Sequence, residues 1–192
     1  AWFGDSKVVD ADGKPLVVYH GTDSPRSTFN TAAKSDADTS RLGAYFTTDE
    51  RVANHYGDHI ERVFLSVQNP FDITGMDSLA AINKMPVDEP LKKELRSGFR
   101  TADANQQYGM LESLVGRGLR EALEAAGYDG IKYTEAHSNA FIAFRPEQIK
   151  SATANRGTFD PSNPSILASV EPSPDFLRTS TGESVIREGR LL

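Results

Sequence analysis

Tyr19-His20-Gly21-Thr22 and, after a long polar stretch, Gly43-Ala44-Tyr45-Phe46-Thr47 are the two segments on which the fold turns. The first closes a β-favouring run, Leu16-Val17-Val18-Tyr19. With Val8-Val9 that run flanks Asp12-Gly13, a turn dipeptide that reaches positive φ cheaply, so the spacing predicts a hairpin. Residues 21–42 are small and polar, with Gly21, Pro25 and many Ser, Thr and Asp. A connection of this length in a compact domain is expected to cover a site, with Phe29 as its apolar pin. The second segment reads as a short strand over 44–46 running into a helix. Thr47 stands three residues before Glu50, a capping-box spacing, and Gly57 falls where a left-handed cap is expected. That helix is two to three turns long, with Val52 and Tyr56 at i and i+4 on one face.

Downstream, Val63, Leu65 and Val67 alternate with Arg62, Phe64 and Ser66, a half-buried strand that stops before Pro70. Met76, Leu79, Ile82, Leu91 and Leu95 recur at roughly helical intervals, interrupted by Pro86 and Pro90, which predicts short helices within 72–104. Leu111, Leu114, Val115, Leu119, Leu123 and Ala126 predict one amphipathic core helix stopped at Gly127. Two strands follow, 130–133 and 141–144, joined by the polar Glu135-Ala136-His137-Ser138-Asn139. From about Gly157 the prolines at 161, 164, 172 and 174 lie among Ser, Asn and Thr and read as an extended tail. The outline is α+β, with a domain over 1–160 and a tail or linker over 161–192.

Composition narrows the function. The chain has 192 residues, 21 Lys plus Arg against 27 Asp plus Glu, a net charge of -6 and no cysteine. Excess negative charge argues against binding to a phosphate backbone, and the missing thiols exclude disulfides, thiolate metal sites and cysteine nucleophiles. No stretch approaches about 20 apolar residues, so none is expected to span a bilayer. The N-terminal residues lack a charged region followed by an apolar run, so the expectation is no secretory signal and a cytoplasmic protein, with delivery into a host cell left open. His55 and His59 stand at i and i+4, a metal-binding spacing on a helix, but Gly57 interrupts it and no third ligand is evident.

Together the two opening segments resemble the ADP-ribosyltransferase fold of the diphtheria-toxin and poly(ADP-ribose) polymerase branch. There one strand carries His-Gly-Ser/Thr, the next carries Gly-x-Tyr-Phe, and a second Tyr follows eleven residues after the first, as Tyr56 follows Tyr45 here. The run Phe141-Ile142-Ala143-Phe144-Arg145-Pro146-Glu147-Gln148-Ile149-Lys150-Ser151-Ala152 and the following Gly157-Thr158-Phe159-Asp160 look like the subgroup found in phage-associated polyvalent proteins. The resemblance covers roughly residues 2–165. It implies a split-sheet α+β core and NAD as substrate, with no metal. Tyr45 and Tyr56 would sandwich the nicotinamide, with Phe46 beside them. Gly21 would bond the carboxamide through its bare backbone, with Thr22 alongside, and His20 would donate to a ribose hydroxyl. Arg26 and Arg41 are candidates for the pyrophosphate, for which bidentate guanidinium geometry is suited.

Each of these residues also has a plainer reading: the tyrosines as core aromatics, His20 as a satisfied buried histidine. The order and spacing of the motifs favour the site. The sequence departs from the polymerases at the closing strand, where their catalytic Glu aligns with Ala140 in Asn139-Ala140-Phe141-Ile142. Three explanations stand: the natural acid has been replaced, the family tolerates a small residue, or Glu135 supplies the carboxylate. Ala53 replaces a second polymerase residue, a Ser that bonds the nicotinamide amide, so polymer synthesis is not expected. The resemblance implies a mono-ADP-ribosyltransferase with His20, Tyr45 and Glu135 as catalytic candidates. Its acceptor would be a macromolecule, protein rather than nucleic acid. The alternatives are an NAD glycohydrolase toxin and an inactive NAD-binding or interaction module. An effector-like piece of a longer chain fits the tail.

Overall fold

The computed structural model describes residues 2–31, 42–99, 107–154 and 159–167. Among these residues seven strands form one mixed sheet: β1 (Val18–Thr22), β2 (Ala44–Thr47), β3 (His59–Leu65), β4 (Pro70–Asp72), β5 (Gly130–Glu135), β6 (Ser138–Ala143) and β7 (Ile149–Ser151). Their order is β4-β5-β6-β2-β1-β3-β7, antiparallel except for the parallel β4–β5 pair. The described residues also form five α-helices: α1 (Glu50–Ala53), α2 (Ser78–Lys84), α3 (Glu89–Gly98), α4 (Gln107–Glu112) and α5 (Leu119–Ala125). The architecture is α+β, as the sequence predicts.

Strand alternation sorts the apolar residues onto two faces. Ala140 and Ile142 of β6 join Ile131 and Tyr133 of β5 in one core, covered by the helices through Ile82, Leu95, Met110, Leu111 and Leu123. Phe141 and Ala143 point the other way and join Val18, Phe46, Val63, Leu65 and Ile149, with Phe29 and Ile166 laid over them. Phe29 thus pins its loop as predicted. The covering segment beyond it falls outside the described residues, and Arg41 with it. Residues 159–167 lie against the body: Ser165 bridges Thr28, and the buried Lys150 ammonium donates to the carbonyls of Asn163 and Ser165.

Several local readings change. The N-terminal hairpin reduces to one bridge, Val9 to Pro15, because Pro15 has no N–H to continue a ladder and the Asp10 carboxylate takes the amides of Asp12 and Lys14, each at 2.9 Å. The capping box is absent. Asp49 is the N-cap and accepts from the Arg51 amide at 2.9 Å, while Thr47 ends β2 and accepts from the Asp49 amide. After Ala53 the helix tightens into a 3-10 turn (Asn54–Tyr56), so Val52 is buried and Tyr56, 49% exposed, is not on its face. Gly57 ends it at φ 157 and ψ 158, not in the left-handed helical region. The predicted 111–126 helix is two pieces, α4 and α5, interrupted where Gly116 and Gly118 take φ of 72° and 81°. The polar connection 135–139 is a tight hairpin, since Ala136 and His137 alone make the turn, at φ of 46° and 67°. Pro86 separates α2 from α3, and Pro90 sits in the first turn of α3 as its missing N–H permits.

Candidate active site

The site lies where the sheet opens. β1 pairs with β3 throughout, but with β2 only at Tyr19 and Thr47. Beyond that point His20 fills the parted seam. Its Nδ1–H donates to the Tyr45 carbonyl at 2.7 Å, replacing a ladder bond with a side-chain bond. A carbonyl only accepts, so Nδ1 carries the proton and the neutral ring presents Nε2 as an acceptor. Burial holds the His20 pKa below its ordinary value, outweighing the hydrogen bond to Tyr45. The ring is packed edge-on to Phe29 at 4.9 Å and tilted against Phe46 at 5.6 Å between centroids. This corrects the expected role: His20 can accept from a ligand hydroxyl, not donate to it.

A cavity of about 230 Å³ occupies the opening. Of the residues named from sequence, His20, Gly21, Thr22, Arg26, Tyr45, Phe46, Tyr56 and Glu135 all line it. Asn139 and Ala140 are not among its lining. Asn139 is exposed opposite Thr134, and Ala140 is sealed in the core between Thr47 and Tyr133. His59 bonds Glu61 at 3.1 Å, and among the described residues no group of three or more ligating side chains occurs.

Gly21 is required for a different reason from the one expected. A Cβ there would lie 1.9 Å from the Ala53 carbonyl oxygen, so glycine lets the end of α1 sit directly on β1. That contact carries Tyr56 to the mouth of the cavity. Thr22 Oγ1 accepts from Arg26 Nε at 3.0 Å, and the Arg26 amide donates to Glu61 at 2.9 Å, so the arginine is tethered at the rim.

Glu135 ends β5, and its carboxylate accepts from the Tyr56 and Tyr133 hydroxyls, the latter at 3.1 Å. Burial, reinforced by the nearby carboxylates, raises the Tyr45, Tyr56 and Tyr133 phenols well above their usual range. They stay protonated and act as donors. Among the described residues, neither the Tyr45 hydroxyl nor His20 Nε2 has a partner, and both are buried. Both atoms belong to residues that line the cavity, where a ligand could complete their hydrogen bonding. One donor and one acceptor are therefore offered to a polar guest between aromatic walls. That fits a heterocycle carrying a hydroxylated sugar.

Tyr108 is the residue sequence reading missed. It enters from α4, its ring centroid 6.0 Å from Tyr45 and 6.1 Å from Tyr56, and its hydroxyl donates to Glu112 at 2.9 Å. Burial and Glu112 push its pKa up to about 12. The available signal was faint: Tyr108, Leu111 and Val115 continue the apolar helical stripe upstream by one turn.

An opened sheet with His-Gly-Thr on one lip and Tyr-Phe on the other defines an ADP-ribosyltransferase-like fold. The chain belongs to the family described as ADP-ribosyltransferase in polyvalent proteins, which it matches over residues 10–159. No curated protein matches it. A solved structure titled "Crystal structure of an anti-CRISPR protein" is similar at 14% identity and a TM-score of 0.36, covering 67% of this chain and 88% of that one. A likeness this slight contributes nothing to the assignment.

Proposed function

We propose that this domain is an NAD-dependent mono-ADP-ribosyltransferase that passes ADP-ribose to a macromolecular acceptor, with Glu135 as its catalytic carboxylate. Family membership supports a transferase-type role. The observation that carries the finer reading is Glu135: of the two carboxylates lining the cavity, Asp23 is exposed, while Glu135 is held by the Tyr56 and Tyr133 hydroxyls, and Ala140 is buried outside the lining. When NAD is bound, the reaction breaks the bond from nicotinamide to ribose, and positive charge builds on the sugar. A preoriented carboxylate stabilises that charge more in the transition state than in the ground state. Two tyrosine hydroxyls hold Glu135 in place, and Tyr56 can yield its bond to a ribose hydroxyl.

The remaining residues bind. Tyr45, Tyr56 and Tyr108 supply aromatic faces and edges for the nicotinamide. Tyr45 donates and His20 Nε2 accepts at polar groups of the guest. The cavity is smaller than the roughly 300–1,000 Å³ of drug-sized sites. It suits the nicotinamide-ribose end, with the pyrophosphate running out toward Arg26. The net charge of -6 favours a protein acceptor over a nucleic acid. Among the described residues no helix is long and apolar enough to cross a membrane.

Incubating the protein with isotopically labelled NAD and cell lysate tests the proposal. Label carried onto a macromolecule, with nicotinamide released in equal amount, is the expected result. Nicotinamide released without transfer makes the domain a glycohydrolase. NAD binding by calorimetry with no release makes it an inactive binding module. Both outcomes contradict the transferase.

A further inference from the structure

We infer that Gln107 is a positioning residue of the cleft: its side-chain amide extends the sheet past the end of β4, and thereby fixes both Tyr108 and the backbone that carries Glu135. This rests on the reading of the cavity as the substrate site. β4 stops at Asp72, opposite Lys132, and the Ile73 amide makes the last strand-like bond, to the Lys132 carbonyl at 2.9 Å. The next inward step along the outer edge of β5 is the Thr134 amide, which no β4 residue reaches.

Gln107 reaches it. Its Oε1 accepts from Thr134 N–H at 2.8 Å, and its Nε2 donates to the carbonyls of Ile73 and Met76, each at 2.8 Å. The side chain thus acts as the peptide group that a longer β4 would have supplied. It is fully buried, with both donors used and the acceptor occupied. A satisfied amide in a dry interior admits one arrangement, since any other leaves buried polar atoms unpaired.

That arrangement joins three elements at the cleft. Thr134 is the neighbour of Glu135, Tyr108 is the neighbour of Gln107, and the loop after β4 is tied to both. Anchoring α4 to the core does not need this polar side chain, because Met110 and Leu111 are already fully buried. What Gln107 adds is direction. With its first turn fixed at β5, α4 presents the Tyr108 ring to Tyr45 and Tyr56.

The test uses the whole chain labelled with 3-fluorotyrosine, Tyr108→Phe assigning the Tyr108 fluorine signal, together with amide exchange at Thr134 and NAD turnover. In Gln107→Met the Thr134 amide is expected to exchange about tenfold faster. The Tyr108 signal should shift, and kcat should fall by up to about 100-fold, the scale of a small misplacement at a reacting centre. Adding Tyr108→Ala to Gln107→Met should cost less than the sum of the two single changes, because part of the Gln107 effect passes through the Tyr108 ring. Gln107→Glu keeps the bond to Thr134 and loses the two donations, so it should move the Tyr108 signal while Thr134 stays protected. A folded Gln107→Met protein with the wild-type fluorine spectrum, Thr134 exchange and kcat overturns the inference. So does failure of both Gln107 variants to fold, which makes the residue a stability element only. Absence of NAD turnover in the wild-type protein contradicts the proposed function instead. The two spectroscopic measurements then still decide the role of Gln107.

Discussion

β1 is bordered by two seams of opposite character. Against β3 it pairs at every position from Val18–Val63 to Thr22–His59, and α1 is pressed onto it at Gly21. Against β2 it pairs only at Tyr19 and Thr47, and beyond that point a histidine side chain and a cavity take the place of the ladder. The closed seam is made of satisfied backbone, so changes there act on stability. The open seam leaves a hydroxyl and a ring nitrogen without partners among the described residues, so changes there are expected to act on binding. A single strand thus serves as scaffold on one edge and as the lip of a site on the other.

The largest effect is expected on the closed side. Gly21→Val forces a side chain into the Ala53 carbonyl, where a Cβ alone would come to 1.9 Å. Overpacking against backbone should cost at least the upper end of the usual ~1–3 kcal/mol. Thermal melting should show a large loss of stability or no folded protein. A stable Gly21→Val domain would remove the α1–β1 contact from the account.

On the open side, Tyr45→Ala should weaken NAD binding by ~1–3 kcal/mol, because it removes both an aromatic wall and the orphaned hydroxyl. Tyr45→Phe separates the two contributions, and calorimetric titration of folded variants measures them. Wild-type affinity in both would show that this seam is not the binding surface. His20→Ala should cost less, about 0.5–1.5 kcal/mol of NAD affinity, the scale of one hydrogen bond.

The smallest effect is that of pH. Burial lowers the folded-state pKa of His20, so on acidification the unfolded chain takes up that proton first. The stability it supports is intact above the ordinary histidine value of about 6.5 and declines as pH falls from there toward the folded pKa. Melting curves between neutral and mildly acidic pH should show this decline in the wild type, and His20→Gln should flatten it. Equal acid sensitivity in both proteins would assign the decline to other groups.

What the sequence disclosed follows the same division. The alternation of Val63, Leu65 and Val67 gave β3, a local pattern with a physical period. The lips of the cavity came from the family resemblance carried by His20-Gly21-Thr22 and the eleven-residue separation of Tyr45 and Tyr56. Breaks in pattern were harder to read. The stripe over 111–126 is continuous in apolar residues, but Gly116 and Gly118 turn the chain between α4 and α5. Aligning an acid by strand position led to Ala140, because sequence distance says nothing of how sharply the 136–137 turn folds Glu135 back beside Tyr56. Tyr108 and Gln107 were illegible for a related reason. Their importance comes from where β4 ends, a property of the assembled sheet.

The central claim is that the open seam carries out chemistry on NAD with Glu135 as its acid, and nicotinamide release at saturating NAD by wild type and Glu135→Gln tests it most directly. The account predicts a fall of ~100–1,000-fold, the scale of one preorganised electrostatic group, with NAD affinity by calorimetry nearly unchanged. Release by Glu135→Gln at the wild-type rate would contradict it.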